Sequence, residues 1–246
     1  MTYAKYSASG NDFVIFHSFV EKDFTQDAIR LCNRTEGIGA DGLVALLPCE
    51  DADFKWKFYN SDGSNAAMCG NATRAVAHYA YNNNLAGSKM KFLTEAGIIE
   101  SEVTQDVVKT QMPQAKVIKE EFEQEGLTWY LIDTGVPHLV TFVDDLETYN
   151  HDLCAKMRYE HNANVNFAKV ENGKIYVRTY ERGVEGETLA CGTGMVACFL
   201  RATQLKLVED LAFVYPKSNE ELTISIVDNK IFFKGAVKKV FTATID

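Results

Sequence analysis

The chain has 246 residues, of which 46% are hydrophobic and 24% are charged, so it is long enough to fold as two domains with a core each. Its 25 basic and 34 acidic residues give a net charge of −9, which argues against nucleic acid or an anionic membrane surface as a partner. The N-terminal segment has no long apolar run, so neither a signal peptide nor a membrane span is predicted and a cytoplasmic location is favoured.

The first motif in chain order is glycine-rich. Residues 37–42, Gly-Ile-Gly-Ala-Asp-Gly, match the G-x-G-x-x-G pattern of dinucleotide-binding proteins. That pattern binds a pyrophosphate only where it follows a strand and opens a helix. Here residues 27–33 have a helical pattern, and residues 43–47 have the apolar run of a buried strand. We therefore predict a tight connection from helix to strand and no nucleotide site.

The next segment predicts a strand, a turn and a helix. Residues 53–60 alternate between apolar and polar side chains, which is typical of a half-buried strand, and the turn Asn60-Ser61-Asp62-Gly63 follows. Beyond Cys69, apolar residues recur at the spacing of an amphipathic helix. These residues are Ala72, Val76, Tyr79 and Ala80. Cys69 is therefore predicted to lie at the start of a helix.

The middle of the chain predicts a boundary between two halves. Residues 120–126 are rich in glutamate and end in glycine, which indicates a solvated turn. We place the boundary beside Pro113, so that the N-terminal half covers residues 1–112.

The second half repeats the plan of the first. A strand is predicted at residues 175–180, residues 181–186 interrupt it, and a helical stripe follows Cys191. This stripe consists of Met195, Val196, Phe199 and Leu200.

Two alignments between the halves support a duplication. Cys69-Gly70-Asn71 aligns with Cys191-Gly192-Thr193, and residues 8–15 resemble residues 133–140 at nearly the same offset. The predicted fold is α+β, with two pseudo-symmetric domains from an internal duplication. Each domain is expected to be a mainly antiparallel sheet or barrel around a central helix, with the active site in the interdomain cleft.

Six cysteines are spread along the chain, and none has the C-x-x-C spacing of a metal or redox site, so free thiols in a reducing compartment are predicted. A thiol at a helix start faces unpaired N–H groups and the positive end of the helix dipole, which stabilise a thiolate. One such cysteine would more often be structural, but two at matched junctions favour catalysis by Cys69 and Cys191. Packing roles are predicted for Cys32, Cys49, Cys154 and Cys198.

Three further residues are candidates because of their place in the repeat. His138 follows Gly135 and Pro137 and is a candidate proton partner for a thiol, although a lone histidine is more often structural. Glu181 and Arg182 lie in the loop that corresponds to residues 60–63, which suggests a thiol-polarising glutamate and a carboxylate-binding arginine. The sequence has no H-E-x-x-H and no G-x-S-x-G, so neither a metal site nor a serine nucleophile is predicted.

A family resemblance extends in order along most of the chain. It is carried by Gly10-Asn11-Asp12-Phe13, residues 37–42, Asn60-Ser61-Asp62-Gly63, Met68-Cys69-Gly70-Asn71, Asn164-Val165-Asn166-Phe167, Glu181-Arg182-Gly183 and Ala190-Cys191-Gly192-Thr193-Gly194. Together these motifs resemble the diaminopimelate epimerase family. The two cysteine motifs at this separation are highly specific, whereas each glycine motif alone is weak.

The resemblance implies the interconversion of L,L- and meso-diaminopimelate, a step toward lysine and peptidoglycan, without pyridoxal phosphate, metal or other cofactor. It implies that Asn11, Asn60, Asn164, Glu181 and Arg182 hold the ends of the substrate. The helix starts at Gly70-Asn71 and Gly192-Thr193 are then expected to receive the reacting carboxylate. It also implies that a strand around residues 236–246 returns to the first domain, which leaves residues 113–235 as the C-terminal half.

The implied mechanism uses two bases. One cysteine, as thiolate, removes the α-proton from one face, and the other, as thiol, delivers a proton to the opposite face. In the family, the cysteine that matches Cys69 acts on the L,L substrate, although this sequence alone does not order the pair. One departure affects the substrate: Val136 stands where the family usually has asparagine, so one polar contact is missing.

Two alternatives stay open at this point. A proline or hydroxyproline racemase-like enzyme shares the duplicated plan and the thiol chemistry, but Asn71 and the asparagines at 11, 60 and 164 favour diaminopimelate. A non-catalytic binding protein on the same fold would have dispensable cysteines. The oligomeric state is not encoded in any motif, and a homodimer is left open.

Overall fold

A computed structural model describes residues 1–65 and 68–245. Contacts divide the chain into two compact units. Unit 1 comprises Met1–Gln111 and Lys234–Asp246, and unit 2 comprises Met112–Phe233. Among the described residues, no helix is long and apolar enough to cross a membrane.

The described part of the chain forms four α-helices, one short 3₁₀ helix and 17 strands. The helices are α1 (Thr25–Cys32), α2 (Gly70–Asn82), α3 (His151–His161) and α4 (Gly192–Gln204), with the 3₁₀ helix at Leu146–Thr148. The strands are β1 (Thr2–Ala8), β2 (Asn11–His17), β3 (Gly42–Leu47), β4 (Phe54–Asn60), β5 (Lys89–Thr94), β6 (Gly97–Thr104), β7 (Val107–Gln111), β8 (Lys116–Gln124), β9 (Leu127–Asp133), β10 (Pro137–Phe142), β11 (Asn164–Glu171), β12 (Lys174–Glu181), β13 (Gly186–Thr188), β14 (Leu211–Pro216), β15 (Leu222–Val227), β16 (Lys230–Ala236) and β17 (Lys238–Thr244).

Unit 1 is a mostly antiparallel arrangement of strands. Strand β1 pairs antiparallel with both β2 and β17, and β2 runs parallel to β3. Strand β3 pairs antiparallel with β4, β4 runs parallel to β5, and β5, β6 and β7 form an antiparallel series. The two parallel pairs are the places where a helix intervenes between consecutive strands, as parallel pairing requires.

Helix α2 is the centre of unit 1. Every residue from Gly70 to Ala80 is buried, and four of them are alanines, which have the highest helix propensity. A helix that is buried on all sides is typical of a protein core. It packs against an apolar cluster that includes Phe13, Val44 and Phe58. A second cluster, around Leu31 of α1 and Phe16 of β2, covers the other face of the sheet.

Unit 2 repeats the main strand pairings of unit 1, with the short strand β13 added beside β12. Strand β9 pairs antiparallel with β8 and β10, β10 runs parallel to β11, and β11 pairs antiparallel with β12. Strand β12 then runs parallel to β14, which pairs antiparallel with β15. Helix α4 is buried from Gly192 to Phe199 and packs against β9–β12 and β14. The predicted fold class, a duplicated α+β protein with a central helix in each half, is confirmed.

One local prediction was wrong. Residues 120–126 were expected to be a solvated turn, but residues 116–124 form the strand β8, and the turn begins at Glu125 and Gly126, both with positive φ. Most side chains of β8 are exposed, so the strand lacks the apolar alternation that marks a half-buried strand. It is specified by backbone pairing with β9, and its charges are typical of a protected sheet edge.

The glycine-rich segment connects α1 to β3, as predicted. A Cβ atom on Gly37 would lie 2.3 Å from the carbonyl oxygen of Arg30 and 2.7 Å from that of Leu31. Gly39 has φ of +77°, a conformation that favours glycine. These glycines therefore allow the chain to turn closely around the end of α1. The motif follows a helix and leads into a strand, which is the reverse of the order that a nucleotide site requires.

We expect Gly37→Ala to lower the free energy of unfolding by about 1–3 kcal/mol, because the added methyl group would meet backbone atoms that cannot move aside cheaply. Gly87→Ala is the matched control, since its nearest neighbour is an oxygen at an ordinary 3.6 Å. It should change stability by less than about 1 kcal/mol. Urea denaturation measures both, and equal stability of the two variants would contradict the packing argument.

Candidate active site

The two predicted cysteine junctions are confirmed as helix N-caps. Cys69 precedes α2 with φ −152° and ψ 118°, and Cys191 precedes α4 with φ −121° and ψ 109°. In each case the cysteine carbonyl accepts the first helical hydrogen bond, from Thr73 at 2.9 Å and from Met195 at 3.0 Å. The N–H groups of the first turn have no partner within the helix, so each cysteine stands beside an anion-binding end.

In unit 1, two predicted substrate residues lie together next to the first helix start. Asn71 donates from Nδ2 to Oδ1 of Asn11 at 2.6 Å. Asn11 in turn donates to Asp41 at 3.0 Å, and Asn71 Oδ1 accepts from Arg74 at 2.8 Å. Both amides are therefore fixed in orientation by a charged residue at each end of the chain of hydrogen bonds.

The predicted residue Asn60 lies at the end of β4, opposite Gly42, and its amide donates to Ser64 at 3.0 Å. The neighbouring Ser61 N–H donates to the carbonyl of Asp41 at 3.0 Å. Asp41 therefore links the Asn60 turn with Asn11.

The carboxylate of Asp12 is held as an anion by two cations. Although burial opposes it, hydrogen bonds from Arg34 and Lys5 lower the pKa of Asp12 to about 2. Arg34 also pairs with Asp41 at 2.7 Å. These contacts keep Asp12 ionised at neutral pH, and they join it to Asp41, the acceptor for Asn11.

In unit 2, the thiol of Cys191 is connected to His138 through a hydroxyl group. Thr193 Oγ1 lies 3.5 Å from Cys191 Sγ and 2.9 Å from Nε2 of His138. All three residues are buried. His138 was predicted as a proton partner of a thiol, and in the structure Thr193 is interposed between the ring and the sulfur.

His138 is neutral in this setting. Its side chain is fully buried, and desolvation lowers its pKa to about 3, with the positive charge of Arg182 acting in the same direction. The ring can therefore donate or accept hydrogen bonds at neutral pH, but it does not supply a positive charge.

Of the remaining predicted residues of unit 2, Asn164 contacts the ring of His138, whereas Glu181 and the Arg182 guanidinium hydrogen-bond to residues outside this group. Asn164 Oδ1 accepts from the backbone N–H of Arg182 at 2.8 Å, and its Nδ2 lies 3.4 Å from His138 Nε2. Glu181 accepts from Thr188 at 2.5 Å. The guanidinium of Arg182 donates to the carbonyl of Asn162 at 2.9 Å. The structure thus gathers His138, Asn164, Arg182, Cys191 and Thr193 at one end of unit 2.

Sequence reasoning missed three residues that support the site. Asp41 and Arg74 orient Asn11 and Asn71, and Asn166 contacts His138 Nδ1 at 3.0 Å. Asn166 lies in the otherwise apolar run Ala163-Asn164-Val165-Asn166-Phe167-Ala168 and is fully buried. A buried amide within such a strand was the signal that could have identified it, because buried polar groups need partners.

The other four cysteines are also free thiols, three of them buried in the cores. Burial raises the pKa of Cys32 and of Cys154 to about 12. The fully buried thiol of Cys198 has its pKa raised even more. These three are therefore protonated and unreactive at neutral pH, which agrees with the packing role predicted for them. Cys49 is half-buried and starts no helix.

Solved structures define the class of fold. A hydroxyproline epimerase from Agrobacterium vitis with bound trans-4-hydroxy-L-proline aligns over 99% of this chain and 91% of its own, with a TM-score of 0.77 and 14% sequence identity. A phenazine biosynthesis protein of the PhzF family from Enterococcus faecalis aligns over 99% of both chains, also with a TM-score of 0.77 and 14% identity. At such low identity these matches establish a shared fold and nothing more specific.

Sequence comparison is more specific. The pattern of the diaminopimelate epimerase family matches residues 3–118 and 130–240. Diaminopimelate epimerase from Nitratiruptor sp. is 55% identical over 98% of this chain and 97% of its own length. That of Campylobacter lari is 52% identical over 99% of this chain and 98% of its own. The chain belongs to the diaminopimelate epimerase family.

The buried neutral state of His138 should make unit 2 less stable in acid. Because the folded pKa, about 3, is below the ordinary value of 6.5, the unfolded chain takes up the proton first, and stability is lost as pH falls below about 6.5. Between pH 7 and 5 the loss should be about 2 kcal/mol from this group.

The measurement is urea denaturation of the wild type and His138→Gln across this pH range. The variant should be less stable at pH 7, and the difference from wild type should shrink toward pH 5. His151→Gln, on the exposed start of α3, is the control and should follow the wild type. A constant difference between wild type and His138→Gln would show that folding does not lower the pKa of this ring.

Proposed function

We propose that this chain epimerises diaminopimelate with Cys69 and Cys191 as its two bases, and that units 1 and 2 are the two halves of the enzyme. Membership of the family makes it an isomerase, and the observation that supports the two-thiol mechanism is their equivalent position at the N-caps of α2 and α4. Inversion at a carbon atom needs one group that removes a proton and another that returns one to the opposite face. Each thiol can do either, according to its protonation state.

Besides two proton carriers, the reaction needs groups that stabilise negative charge, and the helix starts supply them. Removal of an α-proton places negative charge on the carbanion and its carboxylate, and N–H groups fixed in advance stabilise such charge. The first turns of α2 and α4, at Gly70-Asn71 and Gly192-Thr193, offer these donors on the residues that directly follow each cysteine. The same donors favour the thiolate form of whichever cysteine acts as the base.

The two thiols have different neighbours, which supports separate tuning. Around α2 the first-turn side chain is Asn71, hydrogen-bonded to Asn11, and around α4 it is Thr193, hydrogen-bonded to neutral His138. A reversible epimerase needs one thiolate and one thiol at the same pH. We assign the polarising roles to His138 and Glu181 on the Cys191 side.

We assign the ends of the substrate to the remaining polar groups. Diaminopimelate has two amino-acid ends, and Asn11, Asn60, Asn164, Glu181 and Arg182 offer both amide groups and opposite charges for them. The proposal includes no cofactor and no metal, because thiol acid–base chemistry at a carbon next to a carboxylate needs neither.

We also propose that the enzyme is cytoplasmic and forms a homodimer. Val240 and Phe241 of β17 are 47% and 43% exposed, which is compatible with self-association. Sedimentation velocity on the purified protein decides between monomer and dimer.

The first test is proton NMR in D2O with reduced enzyme, L,L-diaminopimelate and no added cofactor. We expect loss of the α-proton signal together with formation of the meso isomer. Exchange with proline or hydroxyproline instead would move the assignment to a racemase of those substrates, and no exchange with any of them would favour a binding protein.

Cys69→Ser and Cys191→Ser should each lower the rate of epimerisation by about 10²- to 10⁴-fold, because each removes one of the two proton carriers. Cys49→Ser, which changes a cysteine outside both helix starts, should keep wild-type activity. Full activity in either of the first two variants would refute the two-thiol mechanism.

Val136→Asn tests the departure from the family pattern. An added amide that reaches the substrate should lower KM about 2- to 10-fold and leave kcat little changed, which corresponds to one ordinary hydrogen bond. Val136→Ala, which adds no polar group, should not lower KM. An unchanged or higher KM for Val136→Asn would mean that this position does not contact substrate.

A further inference from the structure

The duplicated cores differ at one set of equivalent positions. In unit 1, Phe13, Val44 and Phe58 pack behind α2 as part of an apolar cluster, with the two phenylalanine rings 6.0 Å apart. In unit 2, the matching positions of β10, β11 and β12 hold His138, Asn166 and Thr179. All three polar side chains are buried. Burying polar groups where the other copy buries apolar ones costs stability, so the exchange needs a reason.

Hydrogen bonds fix the amide of Asn166 in one orientation. Its Nδ2 donates to the carbonyl of Leu139 at 2.8 Å, and a carbonyl oxygen can only accept. Its Oδ1 accepts from the hydroxyl of Thr179 at 2.9 Å. The second hydrogen of Nδ2 is therefore the one that faces Nδ1 of His138, at 3.0 Å.

This orientation determines the tautomer of the ring. Nδ1 accepts a hydrogen from Asn166 and so carries none itself, which places the proton of the neutral imidazole on Nε2. Nε2 then donates to Thr193 Oγ1 at 2.9 Å. The longer approach of Asn164 Nδ2, at 3.4 Å, is a weaker contact and does not decide the tautomer.

The tautomer in turn orients the hydroxyl group of Thr193. Because Oγ1 accepts from the ring, its own hydrogen is free to point at Cys191 Sγ, 3.5 Å away. We propose that Asn166 is a positioning residue that selects the Nε2–H tautomer of His138 and thereby directs the Thr193 hydroxyl hydrogen to the sulfur of Cys191. This inference rests on the proposed function, in which that sulfur is one of the two bases.

We call the hydrogen bonds from His138 to Thr193 and from Thr193 to Cys191 the hydrogen-bond relay. The opposite tautomer would reverse the direction of the first and break the second. An Nε2 without a proton would accept from the Thr193 hydroxyl, which would then turn its hydrogen away from the sulfur. A hydrogen bond to a thiolate stabilises it, so the tautomer changes how readily Cys191 loses its proton. The same logic operates in serine proteases, where an aspartate at Nδ1 selects one tautomer and its replacement by asparagine selects the other.

The fit around Asn166 leaves little freedom for another arrangement. A Cβ on Gly194 would lie 2.4 Å from Asn166 Oδ1 and 3.2 Å from His138 Cε1, so the amide and ring pack directly on the first turn of α4. Among charged groups, Arg182 acts on His138 from the end of β12, and Glu181 is its neighbour there. The contacts to the ring from β11 and α4 come from the uncharged Asn164, Asn166 and Thr193.

The first experiment reads the tautomer directly, without substrate. Nitrogen-15 NMR of the histidine rings in the wild-type protein should show His138 as a neutral ring with its proton on Nε2, assigned by loss of its signals in His138→Gln. A proton on Nδ1 in the wild type would overturn the proposal, whatever the variants do. Because this result needs no turnover, it is independent of whether diaminopimelate is the substrate.

The second experiment replaces Asn166, the residue that selects the tautomer. Asn166→Asp has nearly the same shape but accepts from Nδ1–H, so the ring should switch to the other tautomer. The pH midpoint for alkylation of Cys191, followed by iodoacetamide labelling and peptide mass spectrometry, should then rise by about one pH unit, a tenfold change in thiolate population at a given pH. The midpoint for Cys69 in the same sample should not move. An unchanged tautomer or an equal shift of both cysteines would contradict the proposal.

Three matched variants separate positioning from loss of stability. Thr179→Val removes a hydrogen bond of Asn166 but leaves the Leu139 carbonyl, so it should lower the melting temperature and keep both the tautomer and the Cys191 midpoint. Thr193→Val should raise that midpoint as Asn166→Asp does, and Thr193→Ser, which keeps a hydroxyl group, should not. If Thr179→Val moves the midpoint as far as Asn166→Asp, the role of Asn166 is structural.

The outcomes also distinguish this inference from the proposed function. A wild-type protein with the Nε2–H tautomer that fails to epimerise diaminopimelate would refute the function and leave the hydrogen-bond relay standing. An active epimerase with the Nδ1–H tautomer would refute the relay alone.

Discussion

The unpaired N–H groups at the start of a buried helix are the constraint on which this protein depends. They must find a partner, and in both copies the chain places a cysteine at the N-cap, where the sulfur and any bound anion can face them. Because α2 and α4 are surrounded by strands of their own unit, these ends cannot move without disturbing a core. Each helix start is therefore held within a packed core, which is what the proposed mechanism needs from preorganised N–H donors.

Duplication has given the protein two similar helix starts with different support. Behind Cys69 the core is apolar, and Asn71 is held by Asn11 and by Arg74. Behind Cys191, a buried polar network replaces the aromatic pair and ends on the neutral ring of His138. In the proposed mechanism the two thiols are alike in geometry but differ in protonation, and the different support behind each helix start would give them that difference.

Much of the fold was predictable from local patterns. The apolar spacing after each cysteine predicted α2 and α4, and the order of elements around the glycine-rich segment excluded a nucleotide site. Strand β8 was missed because its exposed, charged residues carry no periodicity, and its pairing with β9 is made by the backbone. Local sequence predicts an element well when side-chain burial specifies it and poorly when main-chain hydrogen bonds do.

The sequence by itself determined the two cysteine junctions, the duplication and the family, because these rest on residue types at fixed spacings. Only the tertiary structure decided that Thr193 stands between His138 and Cys191, that Asp41 and Arg74 hold the amides of Asn11 and Asn71, and that Asn166 faces the ring. These partners come from strands and helices far apart in the chain. Spacing along a sequence records which residues are present, whereas the direction of a hydrogen bond depends on which atoms packing brings together.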